Sequence, residues 1–269
     1  MIRTCLLLLL AVSSGAGAVV IRDDVDDARY RVPASEFPAL ADMPGEGHGV
    51  LITPQWVITA AHVLPRHHAL EQVVINGKAR AVERVVVHPG YAGLPEALAE
   101  QAVATGEWML AVVQIASSDD IALVRLKHPV TDVTPVALHV HGDELGRTVE
   151  ILGKGATGTG VAGQDPDGSH RTVLRRAFNT VTSAHERWFC YVFDAPASAL
   201  PLEGKTGSGD SGGPVLVQVE GQRRLAGLAS WGFIHGDVRT VRAGRYGQFT
   251  CNVRLSHYAH WIKGVTSER

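Results

Sequence analysis

Residues 47–62 read GHGVLITPQWVITAAH. Two short runs, Gly49-VLI and Trp56-VIT, flank a proline-containing break, and a histidine closes the second. Runs this short fit strands better than helices, and β-branched side chains pack well on a pleated surface. The pattern recurs in Gln72-VVI, Arg84-VVV, Ile121-ALVRL, Val149-EIL, Val215-LVQV and Leu225-AGLASW, with Gly, Pro, Asn or Asp as punctuation. Many short strands at regular spacing predict an all-β sandwich or barrel rather than alternating βα units. Two helical patterns interrupt it. Residues 95–105 (PEALAEQAVAT) are mostly strong helix formers behind a proline, and residues 254–263 (RLSHYAHWIK) place Leu255, Tyr258 and Ile262 on one face.

The 269 residues suffice for one large domain or two modest halves, and a hydrophobic content of 45% against 19% charged is that of a globular chain. A formal net charge of −2 supplies no field that would favour nucleic acid or an anionic membrane. The N-terminus combines Arg3, an apolar run from Cys5 to Val12 and the small residues Ala16-Gly17-Ala18. That combination predicts a secretory signal peptide over 1–18, with the mature chain starting at Val19 and acting outside the cytoplasm, secreted or periplasmic. No later stretch is long and apolar enough to span a membrane, so no stable insertion is expected after cleavage, and a monomer is expected. Of the three cysteines, removal of the leader leaves Cys190 and Cys251, which allow one disulfide or two buried thiols.

Two motifs invite cofactor or metal readings that the context does not support. GKGATG at 153–158 matches a dinucleotide fingerprint, but the TGVAGQDPDG that follows cannot begin the helix such a site needs, so a flexible loop is expected. His62, His67 and His68 cluster without HExxH or paired-cysteine spacing, so no metal and no cofactor is expected.

The chemistry concentrates elsewhere. GDSGGP at 209–214 sets one hydroxyl and one carboxylate in a turn otherwise stripped of side chains, which suits a nucleophile beside exposed amide N–H groups. Nucleophilic serine chemistry also needs a base and a group to orient it. TAAH at 59–62 ends in His62, and DIALVRL at 120–126 starts from Asp120. Together these motifs resemble the trypsin/chymotrypsin family of serine proteases. The likeness extends over about 19–264, through HPGY at 88–91, the turn Gly153-x-Gly155-x-Thr157, Ser230-Trp231-Gly232 and the terminal VRLSHYAHWI. It implies two packed six-stranded antiparallel β-barrels, approximately 19–135 and 136–269, with a C-terminal helix and an active site between them.

By this resemblance His62 is the general base, Asp120 orients it in preference to neighbouring Asp119, and Ser211 attacks. The N–H groups of Gly209 and Ser211 would form the oxyanion hole, and Ser230, Trp231 and Gly232 would receive substrate backbone. The expected partner is a protein or peptide substrate. A catalytically inactive binding protein and an esterase using the same triad are the alternatives. Three departures stand out: Val63 follows the histidine where a cysteine is common, no cysteine precedes Ser211 by four residues, and the 92–118 segment is long. A bridge between Cys190 and Cys251 in the second barrel would compensate for the missing ones. Six residues before Ser211, at the implied base of the specificity pocket, stands Lys205, with Thr206 beside it. A lysine there repels Arg and Lys side chains and could attract a carboxylate. The resemblance further implies that a free Val19 amine reaches Asp210.

Overall fold

Strand β1 (Val19–Ile21) comes first and lies outside both barrels. The next six strands, β2 (Leu40–Asp42), β3 (His48–Thr53), β4 (Trp56–Thr59), β5 (Gln72–Ile75), β6 (Lys78–Val87) and β7 (Ala122–Leu126), close an antiparallel barrel in the order β2-β3-β4-β7-β6-β5. They are followed by β8 (Thr148–Gly153), β9 (Thr157–Thr159), β10 (Gly163–Gln164), β11 (Arg175–His185) and β12 (Trp188–Val192). The last four are β13 (Gly204–Lys205), β14 (Pro214–Val219), β15 (Gln222–Phe233) and β16 (Phe249–Arg254). The second barrel closes as β11-β12-β16-β15-β14-β8. This is the architecture that the sequence implied. It comes from a computed structural model that describes residues 19–165, 167–168, 173–233, 237 and 239–267. The signal-peptide reading, on 1–18, lies outside the described residues.

Each barrel is filled by the inward side chains of its strands. Leu51, Ile58, Ile75, Leu123 and Leu126 are fully buried in the first, and Ile151, Phe189, Tyr191 and Val215 in the second. Burying one such side chain contributes about 1.5–3 kcal/mol relative to leaving it exposed. Trp56 is buried at the start of β4, with the Arg84 and Arg125 guanidinium groups 5.4 and 5.9 Å from its ring.

The first helix, α1 (Glu96–Thr105), follows the predicted span and stops at Gly106 in the left-handed conformation. Unforeseen is α2 (Met109–Ser117), which completes a helical hairpin between β6 and β7. The hairpin belongs to the first barrel but reaches the second, where Trp188 Nε1 donates to the Ala116 carbonyl at 2.7 Å. The final helix, α3 (Leu255–Ser267), buries Leu255, Tyr258, Ile262 and Val265, spaced at the helical period. It docks beside His88, whose ring lies 5.3 Å from Tyr258 and 4.9 Å from Trp261. The glycine-rich stretch expected as a loop holds β9 and β10 instead, in a sheet of order β10-β9-β1-β13. The N-terminal strand is the reason: Val19–Ile21 runs parallel to Thr157–Thr159 and gives those residues a ladder partner. Among the described residues no helix is long and apolar enough to cross a membrane.

Candidate active site

His62 lies in a single tight turn directly after β4, and Asp120 reaches it from just before β7, the neighbour of β4 in the barrel. The Asp120 carboxylate accepts twice from the same residue, from the His62 backbone N–H at 2.8 Å and from Nδ1 at 2.7 Å. A third bond comes from Ser230 Oγ at 2.5 Å. Ser230 lies at a register shift in β15, between Ala229 paired with Asn252 and Trp231 paired with Cys251. Such a bulge re-aims one side chain out of the sheet, here towards the carboxylate. Asp120 is 4% exposed. Burial pushes its carboxyl upwards, but the His62 charge and the hydrogen bonds from His62 and Ser230 hold it below the usual carboxylate range. For His62 burial disfavours the charged ring, and the charge and hydrogen bond of Asp120 outweigh this and raise it above its ordinary value.

Asp119 has a separate set of partners. It accepts from Tyr258 Oη at 2.7 Å and Arg187 Nε at 3.0 Å, tying α3 and the second barrel to the first. Of the two neighbouring carboxylates, Asp120 is the one bonded to His62.

The turn 209–214 packs directly onto the strands that lead to His62. The Ser211 carbonyl accepts from His48 N at 2.7 Å. Gly212 adopts φ +72°, and a Cβ built there would stand 2.2 Å from the His48 carbonyl oxygen and 2.5 Å from Thr59 Oγ1. Only glycine satisfies both the backbone angle and the close approach. Gly209 is also left-handed, at φ +88°. Among the described residues, neither the Gly209 nor the Ser211 N–H donates a hydrogen bond within the protein. Backbone donors of this kind near a serine hydroxyl can in principle receive developing negative charge.

Asp210 is fully buried, and its side chain points away from this site. It accepts from Gly155 N at 2.7 Å, from Gly207 N at 2.9 Å and from the backbone N–H of Val19. Burial raises its carboxyl, against the pull of His48 and these N–H groups. Val19 is itself fully buried and has φ +64°, a left-handed angle that a β-branched residue rarely adopts.

Two cavities meet at Ser230 and Trp231. One, of about 240 Å³, lies between His62, Tyr91, Leu94, Ile115 and Trp231, so α2 supplies part of its wall. The other, of about 180 Å³, is lined by Lys205, Thr206, Ser208, Ser211, Ser230, Trp231, Gly232 and Thr250. Lys205, Thr206, Ser230, Trp231 and Gly232 thus border one cavity with Ser211. Cys190 and Cys251 are disulfide-bonded across the β12–β16 pair, one residue from the Thr250 wall of that cavity. Unpredictable from sequence were the Ser230–Asp120 bond and the contribution of Leu94 and Ile115. The bond depends on a bulge, and the two side chains come from the inserted segment.

The family model Trypsin matches residues 29–262. The chain belongs to the trypsin family. Among curated relatives it is 32% identical to Trypsin-1 of Astacus astacus over 154 residues, covering 54% of this chain and 59% of that protein. It is 28% identical to the complement C1s subcomponent of Sus scrofa, over 80% of this chain and 31% of the relative. Against vitamin K-dependent protein C of Rattus norvegicus the identity is 27%, over 82% and 46%. The chain therefore spans 59%, 31% and 46% of the length of these three relatives. Its fold is similar to that of neuropsin, a serine protease expressed in the limbic system of mouse brain, with a TM-score of 0.64, 21% identity, and coverage of 88% of this chain and 98% of that one.

Proposed function

We propose that this chain is a serine endopeptidase that cuts protein or peptide substrates through Ser211, His62 and Asp120. The observation that carries the reading is the double grip of Asp120 on His62, beside a serine turn docked on the strand that leads to the histidine. With Nδ1 bonded to Asp120, Nε2 is the free ring nitrogen that takes the Ser211 proton as Oγ attacks the scissile carbonyl. Asp120 stabilises the imidazolium that results, and the Gly209 and Ser211 N–H groups receive the oxyanion. His62 then gives its proton to the leaving amine. An acyl-enzyme remains on Ser211, and water attacks it through the same base. The buried ammonium of Lys205 makes cleavage after Arg or Lys poor.

Maturation follows from the N-terminal strand. Cleavage after Ala18 during secretion would turn the Val19 N–H into an ammonium facing buried Asp210 and order the nucleophile turn. It would also remove the preceding carbonyl, whose clash makes φ +64° cost about 1–2 kcal/mol at Val19. Incubating the secreted protein with a mixed peptide library tests the reading, with Ser211→Ala as control. Amide cleavage absent from the control supports it. Hydrolysis of simple esters alone points to an esterase, and binding without turnover or labelling by a serine-directed phosphonate points to an inactive relative.

A further inference from the structure

Lys205 is a long cationic side chain held almost entirely out of water. It is 7% exposed, and its backbone is fixed in β13 by pairing with Val20 in β1. Its Nζ has one hydrogen bond, to the carbonyl of the adjacent Thr206, at a long 3.4 Å. No carboxylate among the described residues lies within ion-pair distance of it. Asp210, the negative group acting on it, already accepts from Gly155, Gly207 and Val19. An ammonium carries three donors, and leaving them unpaired in a buried site costs several kcal/mol. Burial accordingly brings the Lys205 ammonium down to about 8.

The cavity that Lys205 borders is the one that holds Ser211, and the hydroxyl residues Thr206, Ser208 and Thr250 form part of its wall. Its volume of about 180 Å³ admits one medium-sized side chain. A substrate whose scissile carbonyl sits at Ser211 would place the side chain of the residue donating that carbonyl in this space. We infer that the cavity receives a carboxylate, so that the protease cuts after glutamate or aspartate, with Lys205 as the specificity-determining residue. This inference rests on the endopeptidase reading. A substrate carboxylate would give Lys205 the charge partner that the protein withholds. A cationic side chain would face repulsion, and an apolar one would bury the ammonium still further.

The test uses secreted mature protein and peptides that differ only in the residue before the scissile bond. Glu should exceed its isostere Gln in kcat/KM by about tenfold or more, and Arg should be worst. Lys205→Met should lower Glu cleavage by a similar factor and bring the Glu/Gln ratio close to one, while Lys205→Arg should keep a ratio well above one. Peptidyl phosphonates bearing Glu or Gln side chains provide a second measurement on the unmutated enzyme, and the Glu reagent should label Ser211 about tenfold faster. Equal rates for the two reagents, or a Glu/Gln ratio that survives in Lys205→Met, overturn the pocket assignment alone. Absence of both labelling and cleavage overturns the endopeptidase reading as well.

Discussion

Replacing Asp210 by asparagine preserves the volume of a buried side chain and removes its charge. Three backbone N–H groups converge on this carboxylate, those of Gly155, Gly207 and Val19. A carboxylate accepts on both oxygens, whereas an amide accepts on one and presents N–H donors on the other side. With Gly155 on Oδ1 and Gly207 on Oδ2, either orientation of the amide sets one N–H against another. A buried donor left unpaired costs about 1–3 kcal/mol. In the mature chain the Val19 ammonium would lose its counter-charge too, and breaking a buried pair typically costs about 3–5 kcal/mol. The two contributions overlap, so about 3–5 kcal/mol is the working figure. Much of it acts on the segments holding Gly155 and Gly207–Gly209, next to the N–H groups proposed to receive the oxyanion. At about 1.4 kcal/mol per decade, kcat/KM should fall by roughly 10²- to 10³-fold. The pH at which His62 titrates should not move. The assay is kcat/KM on a peptide substrate across pH, with phosphonate titration of Ser211 and thermal unfolding on the same samples. Activity within about fivefold of the unmutated enzyme would refute the claim that Asp210 organises the site.

Ser211→Ala and His62→Ala should each lower peptide hydrolysis by about 10⁴-fold or more, with little change in melting temperature, since neither removes a large buried contact. His62 accepts a proton only when neutral, and its raised value means the acid limb of kcat/KM lies above the ordinary histidine value of about 6.5; Asp120→Asn removes the upward pull and should shift that limb to lower pH. Reducing the Cys190–Cys251 bond, or Cys190→Ser with Cys251→Ser, releases a loop with a sequence separation of 61 and should destabilise by up to about 4 kcal/mol in the chain-entropy model. Calorimetry should then show a melting point lower by about 8–16 °C, and an unchanged one would mean the bond constrains little. Mature protein carrying one extra residue before Val19 should lose most activity, and full activity in that form would reject the role proposed for the Val19 amine.

The elements legible in the sequence were those whose burial follows a simple rule. Leu123 and Val124 in DIALVRL are core residues in a run of β-branched and aliphatic neighbours, and the strand was evident. The eleven-residue β11, by contrast, reads RRAFNTVTSAH and escaped notice. Its inward positions include Arg175 and Asn179, whose polarity breaks the alternation that marks a strand. Both are satisfied from outside the strand, Arg175 by a bidentate pair with Asp27 at 2.6 and 2.7 Å, and Asn179 by the Gly204 carbonyl at 3.1 Å. Partners so distant in sequence cannot be inferred from the strand itself. The second insert helix was hidden for the opposite reason. Its Met109, Leu110 and Val113 are more than half exposed, so α2 lacks the apolar stripe that betrays a surface helix.

The turn at 209–214 stands out in the sequence because its motif records a packing constraint. Gly212 is required by distance: a side chain there would enter the His48 carbonyl and the Thr59 hydroxyl, both in the other barrel. The same turn sends Asp210 inwards to Gly155, Gly207 and Val19, and among the described residues the Gly209 and Ser211 N–H groups donate to no other group. One six-residue stretch thereby joins the barrels, ties down the N-terminal strand and carries the two donors. Each of these roles restricts the residue type at a different position, which is why the stretch reads clearly without any structural context. Lys205 stands just outside this set of constraints. Its backbone is held by Val20, but nothing in the barrel packing demands a charge at the end of its side chain. A cation buried there with no ion pair among the described residues is the observation from which the carboxylate pocket is proposed.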